Sequence, residues 1–108
     1  MGRSHVIQCA TPLEFEALAQ AFGSPPVLAA GRRKYFETAR DGIVVRGSVG
    51  KVWAAATAEF VIHHWEPRLV VDFGAAGALA EGLGVGDLVW AEKVVEHDIQ
   101  AAQAMSPT

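Results

Sequence analysis

Apolar residues in this chain occur in two patterns: they are concentrated in short strand-like segments, and they form stripes at helical spacing between some of these segments. Runs of strand length lie at His5–Ala10, Lys34–Ala39, Ile43–Arg46, from Leu69 onward, and at Gly86–Val95. Apolar runs of this length, bounded by turn residues, indicate β-strands. Strands that alternate with helices predict an α/β protein with a mixed, partly parallel sheet flanked by helices.

The first helix is predicted directly after the first strand. Thr11 is suited to the N-cap and Pro12 to the first helical position. Phe15, Leu18 and Phe22 follow at spacings of three and four, which predicts a buried stripe. The sequence Gly-Ser-Pro-Pro at 23–26 ends the helix.

A second helix is predicted from Lys51 to Trp65, between the small-residue turn Gly47–Gly50 and Pro67. Ala54–Ala56 within it would permit close packing on a sheet. This helix is apolar nearly all round, and its polar edge is Glu59, His63 and Glu66, at helical spacing.

Two further local patterns give structural expectations. Arg40-Asp41-Gly42 joins two strand-like runs, and an Asp-Gly pair between such runs predicts a hairpin. Asp72 lies inside an apolar run, and burying it would need a partner that the sequence does not identify.

Length and composition limit the class of protein. The 108 residues allow a single domain over 1–108 with a modest core, and 51% hydrophobic with 19% charged residues is a globular composition. The net charge is −3, and the only basic run, Arg32-Arg33-Lys34, is interpreted as a solvated turn before a strand. Nucleic acid is therefore not an expected partner.

No apolar run approaches the ~20 residues of a membrane span, so we expect a soluble cytoplasmic protein without membrane contact.

Cysteine and histidine usage gives no metal site. Cys9 is the only cysteine, so no internal disulfide or cysteine-based zinc site can form, and its apolar run predicts a buried, inert thiol. His63 and His64 are adjacent on a predicted helix and face different ways.

Two stretches carry a family resemblance. They are GSVGKVWAAA at Gly47–Ala56 and LVVDFGAAGALAEGLGVGDLVWAEKVVEHD at Leu69–Asp98. Together they resemble the purine nucleoside phosphorylase and nucleosidase superfamily, and most of all its methylthioadenosine/S-adenosylhomocysteine nucleosidases. In that family a helix follows an S-x-G-K turn, a glycine-framed loop contacts ribose, and a His-Asp pair, here His97-Asp98, follows the next strand. The resemblance runs from about His5 to Asp98 and covers the N-terminal half of the family domain, so the nucleoside phosphorylase-like fold is expected to be incomplete.

The resemblance implies a catalytic role for Glu14. In the family a glutamate in an A-x-x-x-E pattern, here Ala10 to Glu14, orients the water that attacks the ribose carbon. The alternative from the residues alone is structural, because Thr11 and Glu14 form a capping-box pattern. Contacts to substrate are implied for Ala10, Thr11, Val49, Ala75, Ala76 and Gly77.

The function that the resemblance implies is hydrolysis of methylthioadenosine- or S-adenosylhomocysteine-type nucleosides to adenine and a ribose derivative, without cofactor or metal. The family's acid aspartate and ribose-binding glutamate belong to its C-terminal half, so no general acid is assigned. Phosphorolysis is disfavoured because Ala75 replaces the usual hydroxyl residue and Cys9–Glu16 contains no arginine.

The alternatives are an inactive nucleoside-binding or oligomerisation module, and a phosphorylase or futalosine hydrolase-like enzyme. Exposed apolar sheet surface predicts a homodimer or larger assembly.

Overall fold

The computed structural model describes residues 2–96, and its first compact unit, which ends at Ala76, contains a five-stranded mixed sheet. The strands are β1 (His5–Cys9), β2 (Leu28–Ala30), β3 (Arg33–Thr38), β4 (Gly42–Arg46) and β5 (Val70–Asp72), and the helices are α1 (Pro12–Ala21) and α2 (Lys51–Trp65). The strand order is β2-β3-β4-β1-β5. Strand β1 runs parallel to β4 and β5, whereas β3 is antiparallel to β2 and β4. The predicted mixed, partly parallel sheet is confirmed.

Side-chain alternation in the strands creates one apolar core on each face of the sheet. Ile43 and Val45 point to the face that α2 covers, and Val44 between them points to the face that α1 covers. The core under α2 consists of Val6, Ile43, Val45, Val61 and Trp65. The core under α1 consists of Cys9, Phe15, Leu18, Phe36 and Val44. The helices therefore flank the sheet on both sides, as the sequence predicts.

Both helices begin where their flanking residues predict. Thr11 is the N-cap of α1, and α2 has the predicted bounds. The expected packing of α2 is wrong in one respect, because Ala54–Ala56 are exposed. The helix contacts the sheet through the buried residues Thr57, Val61 and Trp65, which are spaced by four. A stripe at this spacing covers only one side of a helix, so hydrophobicity all round did not produce burial all round.

The hairpin between β3 and β4 is confirmed, but the glycine does not supply its turn geometry. Arg40 (φ 61°) and Asp41 (φ 64°) adopt positive φ in the turn over Ala39–Asp41, whereas Gly42 (φ −94°) is already the first residue of β4. Gly42 is required for space: a Cβ there would collide with the His5 ring and the Thr38 hydroxyl.

The last strand of the first unit leaves Asp72 exposed, since β5 is the edge strand of the sheet. Asp72 therefore needs no buried partner. Leu28–Ala30 forms a strand that the pattern did not predict, since it pairs with β3 over only three residues.

The second unit begins at Gly77, and its described part, residues 77–96, forms no helix or strand. The strand predicted at Gly86–Val95 is therefore wrong for the described residues. An apolar, β-branched run forms a strand only when a neighbouring strand pairs with it, and residues 77–96 supply none within their unit. The segment forms turns instead, and at one of them the Asp87 carboxylate accepts a 2.8 Å hydrogen bond from the Gly84 amide. His97 and Asp98 lie outside the described residues.

Candidate functional site

Three loops meet at one edge of the sheet, where the parallel strands β1, β4 and β5 all end. The amide of Gly47, after β4, donates to the Cys9 carbonyl at 3.0 Å, and the amide of Phe73, after β5, donates to the Gln8 carbonyl at 2.8 Å. Ligands of open α/β sheets bind at this carboxyl edge. We therefore expect a functional site at this edge.

Glu14, in the first turn of α1, closes the loop that follows β1. Its Oε1 accepts hydrogen bonds from the amides of Ala10 (3.2 Å) and Thr11 (3.1 Å). The Thr11 hydroxyl in turn accepts from the Glu14 amide at 3.2 Å. This is a complete capping box, so the structural interpretation of Glu14 is confirmed.

The second carboxylate oxygen has a different partner. Glu14 Oε2 accepts a 3.1 Å hydrogen bond from the amide of Ala75, in the loop after β5. The contact connects the turn after β1 to the loop after β5, 61 residues away in sequence. A helix cap requires only one of the two oxygens, so the capping role does not account for this second bond.

Gly74 favours this approach. A Cβ at position 74 would lie 3.2 Å from Glu14 Oε2, closer than about nine in ten real Cβ contacts, so the carboxylate would have to shift by a few tenths of an ångström. The glycine therefore lets the loop backbone come within hydrogen-bond distance of the carboxylate. Sequence reasoning recognised the small-residue loop but not this particular requirement, for which the only signal is a glycine directly before Ala75.

The surroundings of Glu14 favour its ionised form. Partial burial alone would raise the pKa, but the amides of Ala75, Ala10 and Thr11 and the Thr11 hydroxyl outweigh it, so the pKa of Glu14 lies below its ordinary value. At neutral pH the group is a carboxylate, and a carboxylate has about four acceptor sites. Among the hydrogen bonds described, Oε2 accepts only that of the Ala75 amide, so this oxygen keeps acceptor capacity for one more donor, such as a water molecule. Glu14 can therefore orient a water or accept a proton, but it cannot act as a general acid at neutral pH.

The other predicted site residues are only partly assembled. Ala10, Thr11 and Ala75 meet at the Glu14 carboxylate through their backbones. Val49 lies in the turn between β4 and α2, with 67% of its surface exposed. Ala76 is exposed at the end of the first unit. Gly77 belongs to the second unit, where a Cβ on it would meet nothing within 4 Å.

Two buried polar groups near this edge have structural roles. Cys9 is 2% exposed, and its thiol donates to the Val45 carbonyl at 3.6 Å. Burial raises the pKa of Cys9 to about 12, so the thiol is inert, as predicted. Gln8, which sequence reasoning did not single out, donates from Nε2 to the Ala54 carbonyl of α2 at 3.0 Å.

Two kinds of feature are absent from residues 2–96. No group of three or more His, Cys, Asp or Glu side chains is placed to hold a metal ion. No helix in this range has the length and apolar character needed to cross a membrane.

Comparisons with known proteins give a consistent result. The family model described as the phosphorylase superfamily matches residues 4–106. A 5′-methylthioadenosine/S-adenosylhomocysteine nucleosidase of Staphylococcus haemolyticus is 37% identical over 62 residues, which are 57% of this chain and 27% of that protein.

Solved structures agree with this match. The nucleosidase of the same name from Neisseria meningitidis, in complex with methylthio-immucillin-A, aligns with a TM-score of 0.65 and 27% identity over 79% of this chain and 38% of its own. The nucleosidase of Streptococcus pneumoniae, in complex with 8-aminoadenine, aligns with a TM-score of 0.65 and 26% identity over 78% of this chain and 39% of its own. The aligned region thus spans about a quarter to two fifths of these relatives.

Proposed function

The chain belongs to the phosphorylase superfamily, and from this membership and the geometry at Glu14 we propose that it is a purine nucleosidase. Its proposed substrates are nucleosides of the methylthioadenosine and S-adenosylhomocysteine type, which it hydrolyses to adenine and a ribose derivative. The relatives that support this proposal have the same named activity. Residues 1–108 are proposed to be the N-terminal half of one phosphorylase-like domain.

The observation that carries the proposal is the double role of the Glu14 carboxylate. One oxygen caps α1, while the other reaches the Ala75 amide across the sheet edge at 3.1 Å. The remaining acceptor capacity of an ionised carboxylate suits a water molecule that attacks an electron-poor ribose carbon. Glu14 is thus proposed as the residue that orients and deprotonates this water.

The neighbouring residues take binding roles in the proposal. Ala10 and Thr11 fix the carboxylate through their amides, so their substrate contacts are made through backbone or Cβ atoms. Ala75 and Ala76 have no large side chains, so a sugar can lie closely against their backbone. For Gly77, which belongs to the second unit, a substrate contact is proposed from the family resemblance alone. The exposed Val49 side chain supplies an apolar surface for the nucleoside.

Hydrolysis is proposed over phosphorolysis because the two loops that touch the Glu14 carboxylate, after β1 and after β5, offer little to a phosphate. Ala75 has no hydroxyl, and the segment Cys9–Glu16 has no arginine. A phosphate at this position would also lie beside the ionised Glu14 carboxylate, which repels it.

The test measures adenine release from methylthioadenosine and S-adenosylhomocysteine by the purified chain of verified mass, with and without inorganic phosphate. The proposal predicts release at equal rates in both buffers. Release that requires phosphate would make the chain a phosphorylase. Calorimetric binding of the nucleosides without release would make it a binding module. No binding and no release from a folded sample would overturn the proposal.

A homodimer or larger assembly is proposed as well. Val52 and Ile62 on α2 are 82% and 50% exposed, and apolar side chains at this level favour association. Light scattering coupled to size exclusion tests this assembly, and a monomer at micromolar concentration would contradict it.

A cytoplasmic location is also proposed. The free thiol of Cys9 is compatible with a reducing compartment. Cell fractionation tests the location, and recovery of the chain outside the cytoplasm would contradict it.

A further inference from the structure

A shallow cavity of about 240 Å³ lies beside the carboxyl end of β4, within the first unit. It opens between the start of β3, the end of β4 and the first turn of α2. Its lining residues are Arg32, Arg33, Arg46, Gly47, Ser48 and Trp53. No acidic side chain of residues 2–96 is part of this lining, whose charged residues are the three arginines.

Arg33 is a donor of this cavity whose guanidinium is held by contacts to side chains of α2. Its Nε donates to the Thr57 hydroxyl at 3.4 Å, and its guanidinium carbon lies 4.6 Å from the centre of the Phe60 ring. These contacts fix the planar group while using only one of its five N–H bonds. The two terminal nitrogens have no partner among residues 2–96.

The other polar side chains of the cavity can also donate. Arg32 and Ser48 are exposed and form no hydrogen bond or ion pair within the described part of the chain, and neither does the indole N–H of Trp53. The Arg46 guanidinium lies 5.8 Å from the Phe15 ring centre, on the face of the sheet that α1 covers, so it is not counted among the donors of the cavity. Guanidinium, hydroxyl and indole donors without a carboxylate among them match the oxygens of an anion.

We propose that this cavity is an oxyanion site that takes a phosphate or carboxylate group. Arg33 offers its terminal nitrogens to two oxygens of the anion, and Arg32, Ser48 and Trp53 supply further donors. The cavity belongs to the same sheet edge as Glu14 but lies on the β3 side. Strand β3 is two positions from β1, which places it roughly 10 Å away at the usual strand spacing.

This separation allows two sources for the anion. One is free inorganic phosphate. The other is the carboxylate of a charged 5′-substituent on a nucleoside whose ribose lies near Glu14, a source that rests on the proposed function. The two sources share the chemistry of the site and differ in what carries the anion.

A nitrogen-15 NMR titration of the full chain tests the site without requiring catalysis. Inorganic phosphate is added at constant ionic strength, while the amides of Gly47 and Ser48 and the indole N–H of Trp53 are followed. We expect these signals to shift together and to saturate. Arg32→Ala is expected to weaken binding about tenfold, the effect of losing one charge-assisted hydrogen bond.

The matched control is Lys34→Ala. Lys34 is exposed, lies two residues from Arg32 and outside the lining, and its removal changes the net charge by the same amount. It is expected to change the phosphate affinity less than twofold. Ser48→Ala, which leaves the charge unchanged, provides a second variant that is expected to weaken binding.

Titrations with S-adenosylhomocysteine and methylthioadenosine distinguish the sources. Val49 is proposed to contact the nucleoside of both compounds, so the sources are distinguished by the indole N–H of Trp53, which lies outside that turn. If this signal responds to S-adenosylhomocysteine and not to methylthioadenosine, the anion is the carboxylate of the substituent. If it responds to phosphate alone, the anion is free phosphate, and both results support the site. The proposal is overturned if neither probe gives a saturable shift of these signals, or if Arg32→Ala and Lys34→Ala weaken binding equally. The adenine-release assay tests the proposed function and the phosphate titration tests this site. A chain that releases no adenine can still bind phosphate here.

Discussion

Replacing Glu14 by glutamine should separate the two structural tasks of its carboxylate. The amide keeps one oxygen, which can still accept from Ala10 and Thr11, but its NH₂ group must then face the Ala75 amide. Two donors cannot bond each other, so the 3.1 Å contact to the loop after β5 is lost while the helix cap is retained.

The magnitude follows from counting the bonds in the structure. Glu14→Gln loses one charge-assisted hydrogen bond and weakens two others, which costs about 1–2 kcal/mol of unfolding free energy. Glu14→Ala also removes the cap, which adds about 1 kcal/mol. Glu16→Gln is the control: this exposed residue of the same helix should change stability by less than about 0.5 kcal/mol.

Urea unfolding followed by circular dichroism measures these differences, and the Ala75 amide provides a local signal. In the wild type this amide should resonate downfield and exchange slowly because its acceptor is charged. Glu14→Gln should shift it upfield and speed its exchange. A variant as stable as the wild type, with an unchanged Ala75 amide, would refute the bridge between the two loops.

Four other outcomes follow from the same structure. The stability advantage of wild type over Glu14→Gln should be full above pH ~5 and shrink as the pH falls below 4.5, since folding lowers the pKa of Glu14. Acid unfolding curves of both proteins measure this loss of stability, and parallel curves would contradict the prediction. Gly74→Ala should displace the Ala75 amide from Glu14 Oε2, seen as loss of its downfield shift with α1 intact. Cys9 should resist thiol reagents at pH 8 until urea unfolds the chain, because burial raises its pKa to about 12. Gly47→Ala should destabilise the fold, because its Cβ would collide with the Thr57 hydroxyl; a melting temperature equal to that of the wild type would contradict this.

The elements that the sequence predicted well are those whose ends are set by local chemistry. Helix α1 begins at a capping box and ends before Gly23, whose φ is +83°. Helix α2 begins after Gly50 and ends shortly before Pro67. These signals act within a few residues, so no tertiary information is needed to use them.

The elements that were missed or wrongly predicted depend on partners distant in sequence. Strand β2 exists because β3 pairs with it, and three residues contain too little pattern to reveal that. Gly86–Val95 has the composition of a strand but no pairing strand within its described unit. Asp72 is exposed because β5 is at the sheet edge, and strand order cannot be obtained from hydrophobic periodicity.

The candidate site was predicted in part for the same reason. The pattern from Ala10 to Glu14 is local, and both the cap and the resemblance direct attention to it. The contact between Glu14 and Ala75 is not local, because it depends on β1 and β5 being parallel neighbours. The arginine-lined cavity likewise requires the start of β3 and the end of β4 to lie side by side.

The central claim, that Glu14 activates the water in a nucleosidase site, is tested most directly by the rate of adenine release from methylthioadenosine by Glu14→Gln. The comparison is made in phosphate-free buffer, below the unfolding temperature of each protein, with Glu16→Gln as the control. The account predicts a loss of roughly 10²–10⁴-fold for Glu14→Gln, the usual contribution of a general base, and an unchanged rate for the control. A folded Glu14→Gln protein that releases adenine at the wild-type rate would contradict it.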